Sequence, residues 1–283
     1  MSASEVNYNS LSPAEIANKA ENIGVDKTCL SIRKMTLLGI LAGAYIAFGA
    51  VFSSISVTGM SGVWPYGITR IYAGLTFSLG LILVVIAGAE LFTGNNLMLL
   101  ALLRKKITLK ALLRNWIIVY LSNFLGSIIV ALMVIGSKLY QSDNGELGKT
   151  MLSIANSKSG ESFWPAFILG ILCNILVCLA VWMSYSARTT GGKILAIIFP
   201  ITAFIAAGFE HSVANMYILS LGLLLQNIDP SFVTGLGIVF THLTLSNALI
   251  NNLIPVTLGN IIGGAGFVAG IYAAIYNQIS SDK

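Results

Sequence analysis

Long apolar runs alternate with short polar segments along this chain of 283 residues. A helix needs about 20 mostly apolar residues to cross the hydrocarbon core of a bilayer. Six runs meet that length, and they predict six membrane-spanning helices in one domain that occupies residues 1–283. Only two predicted linkers between the runs are long, residues 139–162 and 226–249. The runs lie near residues 35–57, 69–101, 112–138, 163–187, 194–225 and 250–276.

Glycine-rich polar segments interrupt the second and fifth runs near their middles. The first is GAELFTGNN (Gly88 to Asn96), and the second is GFEHSVANM (Gly208 to Met216). Backbone groups freed by such a break are tolerated at membrane depth only where they face protein or a water-filled cavity. Ionisable side chains at that depth are costly and mark functional sites. The two interruptions therefore predict a transport site between the halves of the chain.

Three short correspondences between the two halves occur in the same order. The first is LGIL, which occurs at Leu38 to Leu41 and again at Leu169 to Leu172. The others pair Gly88, Glu90 and Asn95 with Gly208, Glu210 and Asn215, and Asn115, Asn123 and Gly126 with Asn252, Asn260 and Gly263. They predict that spans one to three are repeated as spans four to six. A unit with an odd number of crossings inserts its copy upside down, so the repeat is expected to be inverted.

Composition and charge indicate which class of protein the sequence encodes and how it is oriented. A chain that is 56% hydrophobic and only 10% charged is not a water-soluble globule of this size. If the N-terminus is cytoplasmic, four of the sixteen lysines and arginines fall outside, namely Arg70, Lys138, Lys149 and Lys158, and the other twelve fall inside. This bias predicts a cytoplasmic (inner) membrane protein with both termini cytoplasmic. Basic residues are not interleaved with aromatic ones, so no nucleic-acid partner is predicted.

The polar leader before the first run predicts a surface helix within the cytoplasmic segment 1–34. Ser12, Pro13 and Glu15 match a capping box with proline at the first helical position. A thin apolar stripe follows and ends at Gly24; it consists of Ile16, Ala17, Ala20 and Ile23. We expect this helix to have a packing role.

Five segments of the chain resemble the formate/nitrite transporter family, and the resemblance covers nearly the whole sequence. The segments are FSLGLIL (Phe77 to Leu83), GAELFT (Gly88 to Thr93), CNILVCLAVWMSYS (Cys173 to Ser186), GFEHSVAN (Gly208 to Asn215) and NLIPVTLGNIIGG (Asn252 to Gly264). The resemblance implies an all-α, aquaporin-like protomer of six helices with broken second and fifth helices. It also implies one pore per protomer in a homopentamer.

The same resemblance assigns roles in the pore. It implies that His211 is the central pore histidine, that Thr93 faces it, and that Asn174 is its hydrogen-bond partner. Lys158 matches a vestibule lysine that draws anions towards the pore mouth. The positions that match the family's two apolar constrictions are Phe77, Leu81, Leu91 and Phe204.

Glutamates and asparagines at the interruptions are expected to support the site. Glu210 and Asn215 resemble groups that bond the freed backbone, and we expect Glu90 and Glu210 to be structural because exposed N–H groups need acceptors. After Thr93 this chain departs from the serine and threonine common in the family, since Gly94, Asn95 and Asn96 follow.

The residues themselves favour a proton-linked anion pathway. A bare anion in an apolar pore costs on the order of 10 kcal/mol or more. Backbone N–H groups at a helix break favour an anion at the pore entrance, and His211 is the side chain best suited to supply a proton near neutral pH. We therefore predict a channel or transporter for small monovalent anions and protons within membrane lipid. The resemblance to the formate/nitrite transporter family implies formate first, with nitrite and hydrosulfide as alternatives.

Other classes of function have less support. Motifs of nucleotide-binding, metalloprotease and serine-hydrolase enzymes are missing from the sequence, so we expect no enzyme, cofactor or metal. Cys29, Cys173 and Cys178 lack metal-ligand spacing, and His242 is expected to be solvated in an external loop. A neutral-solute pore of the aquaporin type would contain Asn-Pro-Ala boxes, and the chain has no Asn-Pro. A membrane subunit that only anchors a partner remains an alternative.

Overall fold

The regular elements of this computed structural model, which describes residues 10–276, are all helical. We number the helices α1 (Pro13–Thr28), α2 (Ile32–Val57), α3 (Tyr66–Gly88), α4 (Phe92–Leu103), α5 (Leu109–Gly136), α6 (Glu146–Ser159), α7 (Phe163–Ser186), α8 (Thr190–Ala207), α9 (Ser212–Ile228), α10 (Pro230–Gly235) and α11 (Leu245–Tyr276). In the described range, six helices are long and apolar enough to cross a membrane, namely α2, α3, α5, α7, α8 and α11. The predicted all-α membrane class with six spans is therefore confirmed.

Helix α1 begins as predicted, at the capping box. The Ser12 side chain accepts the Glu15 backbone N–H, and the Glu15 carboxylate accepts the Ser12 backbone N–H, which completes the capping box. The helix continues to Thr28, four residues beyond the end of the predicted apolar stripe. Gly24 is needed for packing: a Cβ at this position would lie 3.0 Å from the Cβ of Ala101 on α4.

Short non-helical segments follow α3 and α8 inside the second and fifth apolar runs. Gly88 at the end of α3 has φ +86°, and Gly208 directly after α8 has φ +78°. Side chains with a Cβ rarely adopt this left-handed conformation, so glycine suits both positions. The chain then extends to Leu91 and His211, which are the N-caps of α4 and α9.

The two long predicted linkers contain helices that the sequence analysis missed. Helix α6 occupies Glu146–Ser159 within the first linker, and α10 and the start of α11 occupy much of the second. Helix α6 buries a stripe of apolar side chains, Leu147, Met151, Leu152 and Ala155. The stripe has helical spacing but is too short for a membrane span, so a search for long apolar runs does not detect it.

Small residues let the membrane helices approach closely in both halves. A Cβ at Gly126 on α5 would overlap the backbone carbonyl of Ile40 on α2. A Cβ at Gly263 on α11 would overlap the carbonyl of Ile171 on α7 in the same way. Glycine at these two positions therefore permits close helix approach. The close contacts position α2 and α7 beside the two interruptions.

Candidate functional site

His211 lies at the N-cap of α9, where its side chain is 2% exposed. Nδ1 accepts a hydrogen bond from the Ala214 backbone N–H at 3.1 Å, and Nε2 lies 2.8 Å from the Thr93 hydroxyl oxygen. A neutral imidazole whose Nδ1 accepts a hydrogen bond carries its hydrogen on Nε2. The neutral ring therefore donates a hydrogen bond to Thr93 from Nε2.

Thr93 lies in the first turn of α4 and is fully buried. Its backbone carbonyl accepts hydrogen bonds from Asn174 Nδ2 at 3.2 Å and from Cys178 Sγ at 3.3 Å, both on α7. The hydroxyl accepts from His211 and keeps its own hydrogen for another acceptor. The pair joins residues 118 positions apart, so it forms only where α4 and α9 begin side by side.

Asn174 is placed beside Thr93, and its hydrogen bonds differ from the predicted bond to His211. Nδ2 lies 3.2 Å from the Thr93 carbonyl oxygen, 3.2 Å from Asn96 Oδ1 and 2.7 Å from the Asn260 carbonyl oxygen. Within residues 10–276, its buried Oδ1 has no protein partner. The predicted partner of Asn174 is therefore corrected: its amide holds backbone and side-chain groups of α4 and α11.

The four residues predicted for the apolar constrictions line one narrow cavity together with the His211 ring. The rings of Phe77 and Phe204 meet edge to face, with centroids 5.7 Å apart. The Phe204 centroid also lies 5.9 Å from that of His211. Three further lining residues were missed because aliphatic side chains occur throughout the membrane runs. The cavity is lined by Ile46, Phe77, Leu81, Leu91, Val177, Ile201, Phe204 and His211.

Lys158, on α6, forms an ion pair with Glu210 at the second interruption. The Nζ–Oε1 distance is 2.7 Å, and the two side chains are 19% and 5% exposed. The other carboxylate oxygen accepts from Asn215 Nδ2 at 2.5 Å and from Asn252 Nδ2 at 3.1 Å. The positive charge of Lys158 is therefore offset by a carboxylate that is itself fully hydrogen-bonded.

A second lysine–glutamate pair lies at the first interruption. Lys27 Nζ on α1 is 2.5 Å from Glu90 Oε1, and Asn95 Nδ2 donates to Glu90 Oε2 at 2.7 Å. Lys27 is not among the predicted site residues, although the sequence contains a signal for it. Lys27 lies 11 residues before Leu38, and Lys158 lies 11 residues before Leu169, which is the matching position of the LGIL repeat.

Asn123, on α5, satisfies the backbone around the first interruption. Its Oδ1 accepts the Phe92 backbone N–H at 2.9 Å. Its Nδ2 donates to the carbonyls of Gly39 at 2.8 Å and Glu90 at 2.9 Å. One buried amide thus satisfies one backbone N–H and two backbone carbonyls at this interruption.

Asn260, on α11, does the same at the second interruption. It accepts the Ser212 N–H at 2.9 Å and donates to the carbonyls of Gly170 at 2.8 Å and Glu210 at 2.9 Å. The prediction had given this task to the side chains of Glu210 and Asn215. That assignment is corrected, because those two side chains bond to each other and to other side chains.

A wide cavity leads from the surface to the narrow one, and we call it the wide vestibule. Its lining includes Arg70, Lys149, Lys158, Phe204 and His211. Lys149 is paired with Glu146 at 2.9 Å. Because Phe204 and His211 line both cavities, the wide vestibule ends at the narrow cavity.

Of the remaining chemistry-bearing residues, Cys178 contacts the site through its hydrogen bond to the Thr93 carbonyl. Among residues 10–276, no group of three or more His, Cys, Asp or Glu side chains is arranged to hold a metal ion. The three cysteines are free thiols, exposed at Cys29 and buried at Cys173 and Cys178. His242 is exposed, as predicted.

Six apolar helices and a buried histidine at the meeting point of two cavities define a multi-pass membrane protein of the transport class. The family model described as formate/nitrite transporter matches residues 14–274. The chain belongs to the formate/nitrite transporter family.

Individual relatives match over nearly their whole length. The Haemophilus influenzae protein named formate channel FocA is 43% identical over 259 residues, which are 90% of this chain and 91% of the relative. The Escherichia coli K12 protein of the same name is 41% identical over 273 residues, 95% of each chain. A solved structure described as a pentameric formate channel with formate bound is 41% identical, with a TM-score of 0.79, and covers 87% of this chain and 98% of its own.

Proposed function

We propose that this protein is a channel for small monovalent anions in the cytoplasmic membrane, with formate as its first expected substrate. The contact between His211 and Thr93 at the narrow cavity carries the proposal. Two curated relatives that are 41% and 43% identical are named formate channels, which supports formate. Nitrite stands in the description of the matching family and is the second candidate.

The apolar lining of the narrow cavity supports transport of a neutral form. An unpaired anion there loses hydration worth many kcal/mol, whereas formic acid carries no net charge. In this mechanism formate enters from a vestibule, accepts a proton beside His211 and Thr93, and passes the apolar rings as the acid. It releases the proton to water on the other side. The anion and the proton therefore cross together.

In the proposed mechanism, the proton that His211 gives to formate comes from solution. A neutral imidazole does not release its Nε2 hydrogen near neutral pH, so a proton from solution must reach the ring first. Nδ1 takes up that proton only by giving up the bond from Ala214, and an N-cap bond of this kind is worth about 1 kcal/mol. After the proton passes to formate, return to the original tautomer restores the bond to Ala214.

We also propose the aquaporin-like architecture, an inverted 3+3 repeat with broken second and fifth helices. Matched hydrogen bonds support it. The Glu90 N–H donates to the Leu38 carbonyl at 3.2 Å, and the Glu210 N–H donates to the Leu169 carbonyl at 3.3 Å. The N-caps Leu91 and His211 share an extended backbone, with φ and ψ of −105° and 122° against −110° and 114°. In this arrangement the histidine of one half takes the place of a leucine in the other.

The paired lysines extend the proposed repeat to the helices that precede each half. Helix α1 brings Lys27 to Glu90, and α6 brings Lys158 to Glu210. Each repeated unit then consists of one surface helix and three spans. Inversion places α1 on the cytoplasmic side and α6 outside.

The assembly and orientation are part of the proposal. A homopentamer is supported by the 41% identical solved structure described as pentameric. Cytoplasmic termini and the inner membrane are supported by the distribution of lysine and arginine. Lys283, which belongs to that count, lies outside the described residues. The single domain over residues 1–283 is supported by a family match to residues 14–274.

Flux measurements in proteoliposomes test the function. Purified protein is expected to carry formate, faster towards acid pH, and His211→Ala and Thr93→Ala are expected to lower this flux by about tenfold or more. Nitrite and hydrosulfide measured side by side rank the anions, and water or glycerol tests a neutral-solute pore. Unchanged pH-dependent formate flux in both variants would refute the proton-linked mechanism. No flux of any anion would favour an anchoring subunit.

A further inference from the structure

Arg70 bonds to the end of the helix that leads to the second interruption. Its Nε donates to the Ala206 carbonyl at 3.2 Å, and Nη2 donates to the Ile205 carbonyl. Helix α8 ends at Ala207, so these carbonyls belong to its last turn. The last carbonyls of a helix lack partners within it and carry partial negative charge. The guanidinium therefore satisfies and neutralises the end of α8.

The local backbone is shaped to receive the arginine. Gly208 follows α8 with φ +78°, and a Cβ there would lie 3.4 Å from Arg70 Nη2. Within residues 10–276, no carboxylate lies within salt-bridge distance of Arg70, in contrast to Lys149 and Lys158. The planar guanidinium of Arg70 thus donates to backbone carbonyls rather than to a carboxylate.

Both helices that Arg70 joins contribute a ring to the lining of the narrow cavity. Phe77 follows Arg70 on α3 by seven residues, which is about two helical turns and the same face. Phe204 directly precedes Ile205, whose carbonyl Arg70 binds. The rings of Phe77 and Phe204 meet edge to face at 5.7 Å. Arg70 therefore joins the two helices that carry these rings, close to where the rings touch.

One of the two backbone hydrogen bonds that end α8 uses a carbonyl that Arg70 also binds, that of Ile205. The Gly208 N–H donates to the Ile205 carbonyl at 3.1 Å, and the Phe209 N–H donates to the Phe204 carbonyl at 3.0 Å. His211 follows two residues later. Loss of the guanidinium would release the turn that carries Phe204 and also the segment that leads to the histidine.

We propose that Arg70 is a positioning residue that keeps Phe204 against Phe77 and so sets the size limit for anions. The inference rests on the proposed function, because size selection has meaning only in a pore. Without the hydrogen bonds from Arg70 to the end of α8, the two rings separate more readily and a larger monocarboxylate passes. Acetate, which replaces one hydrogen of formate by a methyl group, is the probe.

The experiment compares formate and acetate flux in proteoliposomes for wild type, Arg70→Met and Arg70→Lys. One methyl group in a close-fitting apolar site changes discrimination by about 10-fold or more. Arg70→Met is therefore expected to raise the acetate-to-formate flux ratio by about tenfold, and Arg70→Lys by less, because lysine keeps the charge without the fork. In a Phe204→Ala background, Arg70→Met is expected to add no further change.

Arg114→Met is the matched control. Arg114 on α5 also donates to two backbone carbonyls, those of Thr28 and Leu30, and these three residues are not part of the lining of the narrow cavity. It is expected to leave the flux ratio unchanged. If Arg70→Met lowers both fluxes in proportion, or if Arg114→Met shifts the ratio equally, the positioning role is refuted.

Hydrogen exchange gives a readout that needs no transport. Arg70→Met is expected to speed amide exchange in residues 203–211 relative to wild type and Arg114→Met. Exchange at the wild-type rate in this segment would overturn the inference even if the protein conducts formate. Faster exchange in protein that carries no anion would instead support the positioning role of Arg70 while refuting the proposed function.

Discussion

Single side chains at the centre of this site are held from two directions. His211 is bound by Ala214 within its own helix and by Thr93 across the interface. Thr93 is bound through its carbonyl by Asn174. Each group therefore points in a defined direction before any anion arrives, which lowers the cost of ordering it during transport.

The Thr93 hydroxyl can be tested with an isosteric change. Thr93→Val keeps the shape and leaves the buried Nε2 hydrogen without an acceptor, which costs about 1 to 3 kcal/mol. In the proposed mechanism the hydroxyl also holds the ring in place for proton transfer, and a loss of about 1.4 kcal/mol in that step lowers formate flux by about tenfold. Thr93→Ser is expected to retain most of the flux. A valine variant that conducts like wild type would show that the hydroxyl has no part in transport.

The sequence pattern itself predicts some of these contacts, and others are implied only by the family resemblance. The glutamate–asparagine matches at the two interruptions were visible as a repeat, whereas the approach of Thr93 to His211 was implied only by the family resemblance. Asn174 was given the wrong partner because the direction of its amide depends on the rotation of α7 against α4. Lys27 was missed because its partner, Glu90, lies 63 residues away.

The described helices are of two kinds: six are long and apolar enough to cross the membrane, and the shorter ones pack against them. Run lengths predicted the six spans, since hydropathy determines them directly. Helix α6 escaped prediction because its stripe is short and its N-cap is Gly145 in a left-handed conformation, without a side-chain capping bond. Helix α1 has a capping box and was predicted. Local capping chemistry thus decided which surface helix could be read from the sequence.

The docking of α6 depends on a partly buried ion pair. Removing one member of such a pair leaves an uncompensated charge and is strongly destabilising. Lys158→Met is therefore expected to raise the formate concentration for half-maximal flux, because the unpaired Glu210 carboxylate repels anions. The double variant with Glu210→Gln is expected to restore part of the affinity. If the double variant binds as weakly as the single one, Lys158 itself attracts the anion.

The interruptions depend on Asn123 and Asn260 for stability. Each amide bonds one backbone N–H and two backbone carbonyls. Replacement by alanine leaves these buried groups unpaired, at about 1 to 3 kcal/mol each. In detergent, both alanine variants are expected to have a clearly lower melting temperature than wild type. Asn227→Ala, which removes a single exposed bond to the Leu223 carbonyl, is the control and is expected to melt like wild type.

The arrangement of the two halves follows from contacts far apart in sequence. Composition and apolar runs predict a membrane protein of six spans, but they do not state that α4 and α9 begin side by side. That meeting depends on buried asparagines and close glycine contacts in both halves. The orientation of the whole chain is a separate question, which depends on charge in the linkers rather than on packing.

Cysteine labelling tests that orientation and the proposed inversion together. Cys29 is exposed directly after α1, and Cys173 and Cys178 are buried, so the natural chain offers one reactive thiol among its three. If α1 is cytoplasmic, a membrane-impermeant maleimide is expected to label Cys29 only after cells are permeabilised. Ser153→Cys in a Cys29→Ser background places a thiol on the exposed face of α6, which is expected to react in intact cells. Labelling of both positions from the same side would refute an inverted repeat, because inversion places the two surface helices on opposite faces of the membrane.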